Sequence, residues 1–452
     1  MRPSAVLSVA LWGLSALADA MALSPRAPAS KLVPPSEDPF YVPPGGLASQ
    51  KPGAILKTRP APDALASINA ALPLDVDGVY QIMYRTTDSV GRPAAAVTTL
   101  IVPFNANTSR LLSYQTAYDQ ADNNCAPSYT LQVGANMTSA EIVVIAAALN
   151  QGWYVNTPDY EGLNASFTAG VISGQATLDS VRAALQTTSL SGLSSSAQYA
   201  MWGYSGGSIA SEWAAELQQS YAPDLDFIGV AIGGLTPNIS SVLLTISGTF
   251  AAGLAPRGIV GLSTAYSNLS TYLNQHLIPS KAATFYSVRN CSSAHDFSNE
   301  DIFSYFDNGE GILHDAVPLS VINAAGIEGV HGVPRMPLYV YKAVHDEISP
   351  IADTDALVSK LCGLGSHIEY VRDTVGAHGT FGVTGAGGAL AFLVERFAGL
   401  PAATACSTTD VALTGIDPAT VALTGSIIAA ALRQLLGLPA GQLFPFLPVA
   451  GN

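Results

Sequence analysis

The sequence predicts an α/β fold, a mostly parallel sheet covered on both faces by helices and interrupted by a large helical insertion. Three observations carry this. From Gly78 onward apolar β-rich runs alternate with helical segments, the pattern of a parallel sheet with crossover helices. Between about 236 and 332 the alternation stops in a stretch that is mostly helical in pattern and holds no strong strand. Trp202-Gly203-Tyr204-Ser205-Gly206-Gly207 fits G-x-S-x-G, with a short strand before it and a Gly- and Pro-free helical run, 208–221, after it.

The first twenty residues place Arg2 before an apolar run from Ala5 to Leu17, closed by Ala18-Asp19-Ala20. The run is too short to span a bilayer, so residues 1–20 read as a secretory signal cleaved after Ala20. Residues 21–50, rich in Pro and small residues, read as an arm or pro-segment. Strands are expected at 79–85 and 95–102, joined by a turn through Gly91 and Pro93, and at 111–117. A helix over 139–150, a strand over 152–157 and a helix over 174–187 follow. After the Ser205 strand and its helix, 227–232 is a continuous apolar run of the buried parallel type. Beyond the insertion come strands at 337–344 and 367–372, with helices near 353–361 and 389–397. An insertion above the strand ends is either a lid or a packed subdomain.

The tail, 406–452, repeats Val-Ala-Leu-Thr-Gly at 411–415 and 421–425 and is strongly apolar over 426–447. Its Pro, Gly and Arg433 interruptions favour a packed or flexible tail over a lipid-anchor signal.

Composition narrows the function. The 452-residue chain is 48% hydrophobic and only 12% charged, with a net charge of −14. Its pI near 4.7 argues against nucleic acid and anionic membranes as partners. No obligate protein partner is evident. Four cysteines, Cys125, Cys291, Cys362 and Cys406, suit two disulfides, and three pairings are open. Six N-x-S/T sequons, at Asn107, Asn136, Asn164, Asn238, Asn268 and Asn290, agree with a secreted glycoprotein. With no C-x-x-C, H-E-x-x-H or P-loop, neither a metal nor an organic cofactor is expected.

The glycines around Ser205 allow a turn too tight for ordinary side chains, which lifts the hydroxyl out of the sheet edge at a helix N-terminus. A serine hydroxyl needs a base, and the base an orienting acid, in the chain order Ser, acid, His. His276, His295, His314 and His331 lie in or beside the insertion, His345 ends a strand and His367 begins the next. His378 alone follows the last of these strands in a loop, which makes it the candidate base. Asp346, directly after the 337–344 strand, is the candidate acid. Asp353 and Asp355 are rivals placed where a helix starts, as N-caps often are.

Gly203-Tyr204-Ser205-Gly206-Gly207, Asp346-Glu347-Ile348-Ser349-Pro350, Ala377-His378, Asn124-Cys125-Ala126-Pro127-Ser128-Tyr129 and Pro158-Asp159-Tyr160-Glu161-Gly162 together resemble the fungal secretory lipases of the lipase A type. The resemblance runs from about 73 to 405. It implies an α/β-hydrolase domain over 51–405 with a helical cap at about 236–332, and hydrolysis of carboxylic esters, usually acylglycerols. It implies Ser205 as nucleophile, Asp346 as acid and His378 as base. It also implies an oxyanion hole from the Gly206 N–H and from Asp119, and the disulfides Cys125–Cys291 and Cys362–Cys406. The expected function is a secreted lipase acting on a lipid or other ester, met at a lipid–water interface. The alternatives are a short-acyl esterase or deacetylase of a small molecule, a non-catalytic module of the same fold, and a serine peptidase.

Overall fold

Strand positions follow the apolar β-rich runs of the sequence closely enough that most expected strands lie within three residues of the observed ones. A computed structural model describes residues 32–66, 74–133, 139–291, 295–412, 425 and 441. Ten described strands form one sheet in the order β1-β2-β3-β5-β4-β6-β7-β8-β9-β10. They are β1 (Ile55–Pro60), β2 (Gly78–Thr87), β3 (Pro93–Val102), β4 (Arg110–Gln115), β5 (Tyr154–Pro158), β6 (Gln198–Tyr204), β7 (Val230–Gly233), β8 (Leu338–Ala343), β9 (Ile368–Asp373) and β10 (Ser407–Val411). The β1-β2-β3-β5 edge is antiparallel. From β5 through β4 to β10 every pairing is parallel.

Parallel strands need covering on both faces, and the alternation within each strand supplies two apolar sides. In β6, Tyr199 and Met201 pack with Trp213 of the helix Gly206–Tyr221 on one face. Ala200 and Trp202 face the other, with Tyr339 and Tyr341 of β8 and the helix Ala386–Phe397. The Trp202 indole N–H donates to Tyr341 Oη at 3.0 Å, which satisfies the one polar atom that burial would strand.

The insertion between β7 and β8 folds into the helices Ile239–Ile246, Leu254–Ala265, Ser267–His276, Pro279–Phe285 and Ala316–Ala325. Phe285, Phe297, Tyr305 and Phe306 meet in edge and tilted contacts to give it an aromatic centre. A disulfide from Cys125 to Cys291 ties it to the loop after β4, and Asp122 accepts from the Cys291 N–H at 2.8 Å. The second disulfide joins Cys362 to Cys406.

Three boundaries differ from the sequence reading. The arm expected over 21–50 is docked from Pro34 on, with Phe40 and Tyr41 buried against Met83 and Val97. Arg59 holds Asp38 there at 2.6 Å and stacks over the Phe40 ring. The short polar strand β10 lies inside what reads as an apolar tail, so the sheet runs past 405 to Val411. Strand β1 occupies a stretch with no clear strand signal. Residues 1–20, expected to be a secretory signal, most of the tail and Asn136 lie outside the described residues. Among the described residues no helix is long and apolar enough to cross a membrane.

Candidate active site

Ser205 sits between β6 and the helix Gly206–Tyr221 with φ 54° and ψ −124°, a conformation an L-residue holds only when its surroundings enforce it. The Ser205 N–H donates to Gly233 O of the neighbouring strand at 3.0 Å, and the Ser205 carbonyl accepts from Ser208 N–H at 2.8 Å. Glycine is required on both sides because backbone and side chain approach too closely for a methyl group. A Cβ on Gly203 would strike the Gly207 carbonyl, and one on Gly206 would overlap Asp119 Oδ1. The motif is therefore a packing requirement as well as a turn.

His378 and Asp346 arrive from the two strand ends on the far side. His378 Nε2 lies 2.8 Å from Ser205 Oγ, and its Nδ1 lies 2.7 Å from Asp346 Oδ2. Asp346 follows β8 and accepts at every side: Oδ1 takes the N–H groups of Ile348 at 2.9 Å and Ser349 at 2.8 Å. Oδ2 also takes the ammonium of Lys342 at 2.8 Å. Burial alone would raise this carboxyl, but the His378 hydrogen bond and the Lys342 charge hold it well below the usual carboxylate range. The rivals lie elsewhere. Asp355 bonds Tyr370 Oη at 2.9 Å and Arg372 at 3.0 Å, and Asp353 stands in the first turn of the helix Ile351–Gly363.

The loop that carries the base is fixed by its backbone. Glu347 Oε2 accepts the His378 N–H at 2.8 Å, and the Tyr204 hydroxyl donates to the His378 carbonyl at 2.5 Å. The residue before Ser205 and the residue after Asp346 thus clamp His378 from either side. Neither role is visible in sequence.

Asp119 follows β4 with φ 47°, a left-handed turn, and its carboxyl group lies against Gly206. Part of the residue is open to solvent, but Oδ1 is shut off from it and has no hydrogen-bond partner. Burial pushes this carboxyl up to about 6 against the lowering influence of Arg257 on the cap helix and of His378. The loop rests on more buried acid. Glu141 accepts the Ala117 N–H at 3.2 Å and the Tyr114 hydroxyl at 2.6 Å. Asp159 accepts from the Ser128 N–H at 2.8 Å and hydroxyl at 2.6 Å. Burial raises both carboxyls to about 7 despite those bonds. The Tyr118 hydroxyl accepts the Glu161 N–H at 2.9 Å, closing the loop on the strand β5 end.

Of the sequons, Asn164, Asn268 and Asn290 are exposed. Asn107 and Asn238 are half-buried, and Asn238 caps its helix through the N–H groups of Ser240 and Ser241. His345 is exposed, and His331 lies tilted against the Trp213 ring with centroids 4.4 Å apart. Lys342, Glu347, Glu141 and Tyr204 are the residues sequence reasoning missed. A single lysine in an otherwise apolar strand, four residues before the acid, was the one signal available.

Known proteins resemble the chain over most of its length. The family model described as secretory lipase matches residues 128–405. Lipase A of Arthroderma benhamiae is 40% identical over 90% of this chain and 89% of its own. The trichothecene C-3 esterase of Fusarium sporotrichioides is 42% identical over 82% of this chain and 85% of its own. Among solved structures, Candida antarctica lipase A in its closed state superposes with a TM-score of 0.78 at 28% identity, covering 92% of this chain and all of the other. The chain belongs to the secretory lipase family and is a carboxylic ester hydrolase with the α/β-hydrolase fold.

Proposed function

We propose that this chain is an extracellular lipase that hydrolyses acylglycerol esters through Ser205, His378 and Asp346. The reading rests on one observation above others: a strained, half-buried serine whose hydroxyl lies 2.8 Å from an imidazole that is itself 2.7 Å from a buried carboxylate. His378 takes the Ser205 proton as Oγ attacks the ester carbonyl. Asp346 keeps Nδ1 protonated and steadies the imidazolium. The oxyanion that forms meets the N–H groups of Gly206 and Asp119, a pair worth on the order of 10²–10³ in rate per donor lost. The tetrahedral species collapses as His378 protonates the departing alcohol. Water then attacks the acyl-enzyme with the same imidazole as base and frees the acid.

The lipase reading is favoured by the relative named lipase A, which is similar along nearly the whole chain. Residues 1–20 would direct secretion, the exposed sequons would carry glycans, and the substrate would be met at a lipid–water interface. Replacing Ser205 by Ala should lower hydrolysis by several orders of magnitude, and a variant keeping a tenth of the wild-type rate would refute the assignment. The second reading, a short-acyl esterase for a small secreted molecule, is favoured by the trichothecene esterase relative. Comparing emulsified long-chain triacylglycerol with soluble acetate and butyrate esters decides between them. Rates that peak at acetate and vanish on triacylglycerol would sink the lipase reading.

A further inference from the structure

Asp346 orients the base, yet a second cation holds the same oxygen. Lys342 projects from β8 on the face shared by Leu338 and Val340, and its side chain has no exposed surface. Its ammonium donates to Asp346 Oδ2 at 2.8 Å and to the Leu235 carbonyl at 2.7 Å. Ser349 Oγ donates to that carbonyl too, at 2.9 Å, so the loop after β7 and the acid loop after β8 are joined at one atom. A buried lysine is costly, and an apolar residue on this strand face would fold more cheaply. Position therefore asks for a reason beyond packing.

We propose that Lys342 is a positioning residue that sets the acid limb of the enzyme's pH–rate profile by sharing Asp346 Oδ2 with His378. The proposal rests on the reading of Ser205, Asp346 and His378 given above. When His378 accepts the serine proton, a second positive charge appears on the oxygen that Lys342 already neutralises. The ammonium opposes that second charge electrostatically, while its hydrogen bond fixes the carboxylate plane. Other titratable groups also face the pair. Glu328 and Asp353 face the ammonium, and burial works against its charge while Asp346 supports it. Glu212 and Glu216, from the helix after Ser205, face Glu328 and not the imidazole; burial raises all three carboxyls, favouring their neutral forms. His378 itself faces Asp346, Lys342's partner, together with Glu347, Asp119 and the Tyr204 ring.

The test is kcat/KM against pH on p-nitrophenyl butyrate for the full chain and for Lys342→Met, Lys342→Gln and Lys342→Arg. Loss of the charge should move the acid limb upward by about one pH unit in both Met and Gln, the usual scale for a neighbouring charge. KM should change little, and Arg should return the limb toward wild type. Gln keeps a donor without the charge and carries the test should Met not fold. Acid limbs that stay in place in folded neutral variants overturn the proposal, as does failure of both to fold, which would make the lysine a structural element alone. A Ser205→Ala variant run alongside separates the two claims. If it stays active, the catalytic reading falls; if it is inactive while the limbs do not move, only the role of Lys342 falls.

Discussion

Two aspartates flank Ser205, and the fold treats them in opposite ways. Asp346 lies on four donors, two backbone N–H groups, an imidazole and an ammonium, and stays ionised despite burial. Asp119 turns an unpartnered oxygen against Gly206, and burial raises it to about 6. In the proposed mechanism one carboxyl holds a positive charge on the base, and the other stands neutral where negative charge develops. Environments that push two carboxyls apart in this way mark an acid–base division of labour.

The largest break in that comparison is Asp346→Asn. It removes the charge and presents an amide to Nδ1, favouring the wrong tautomer, so kcat should fall by on the order of 10⁴. Steady-state kinetics on a soluble ester measures it, and a loss below tenfold would remove Asp346 from the mechanism.

Next in size is the alkaline side of the rate profile. Asp119 is neutral below about 6 and ionises above it, placing an anion beside the developing oxyanion. Activity should decline as pH rises through that value. Asp119→Asn, which keeps the shape and cannot ionise, should flatten the decline. A limb that persists unchanged in Asn would assign it to another group.

The smallest effect concerns stability. Asp119, Glu141 and Asp159 have folded-state values raised above their ordinary ones, to about 6, 7 and 7. Their contribution is full below the ordinary carboxylate range and is lost as pH rises through those folded values. Asp346 has the opposite sign, and its contribution falls away only in strong acid. The melting temperature should therefore decrease between about pH 4 and pH 7. Asp159→Asn should weaken that slope, and a Tm that rises over the same range would contradict it.

Much of the site was legible in the sequence because its parts stand at strand ends in a fixed order. Ser205, Asp346 and His378 follow β6, β8 and β9, and the structure brings all three together. Asp119 and the disulfide pairings came only through family resemblance, since nothing local distinguishes a loop aspartate or chooses among three connectivities. The supporting groups were not legible. Glu347 and Glu141 act on backbone N–H groups of other segments, and Lys342 pairs across a turn inside an apolar strand. Burial of a charge is a tertiary fact with no periodicity to announce it. For the same reason β10, with its exposed Ser407 to Asp410 edge, reads as tail: its alternation is absent and among the described strands it pairs with β9 alone.

The most direct test of the central claim is covalent labelling with a fluorophosphonate, read by intact mass and peptide mapping. An activated serine should take up one adduct per chain, mapped to Ser205, and His378→Ala should slow labelling by orders of magnitude. Labelling that maps to another residue, or that proceeds equally in Ser205→Ala, would contradict the account.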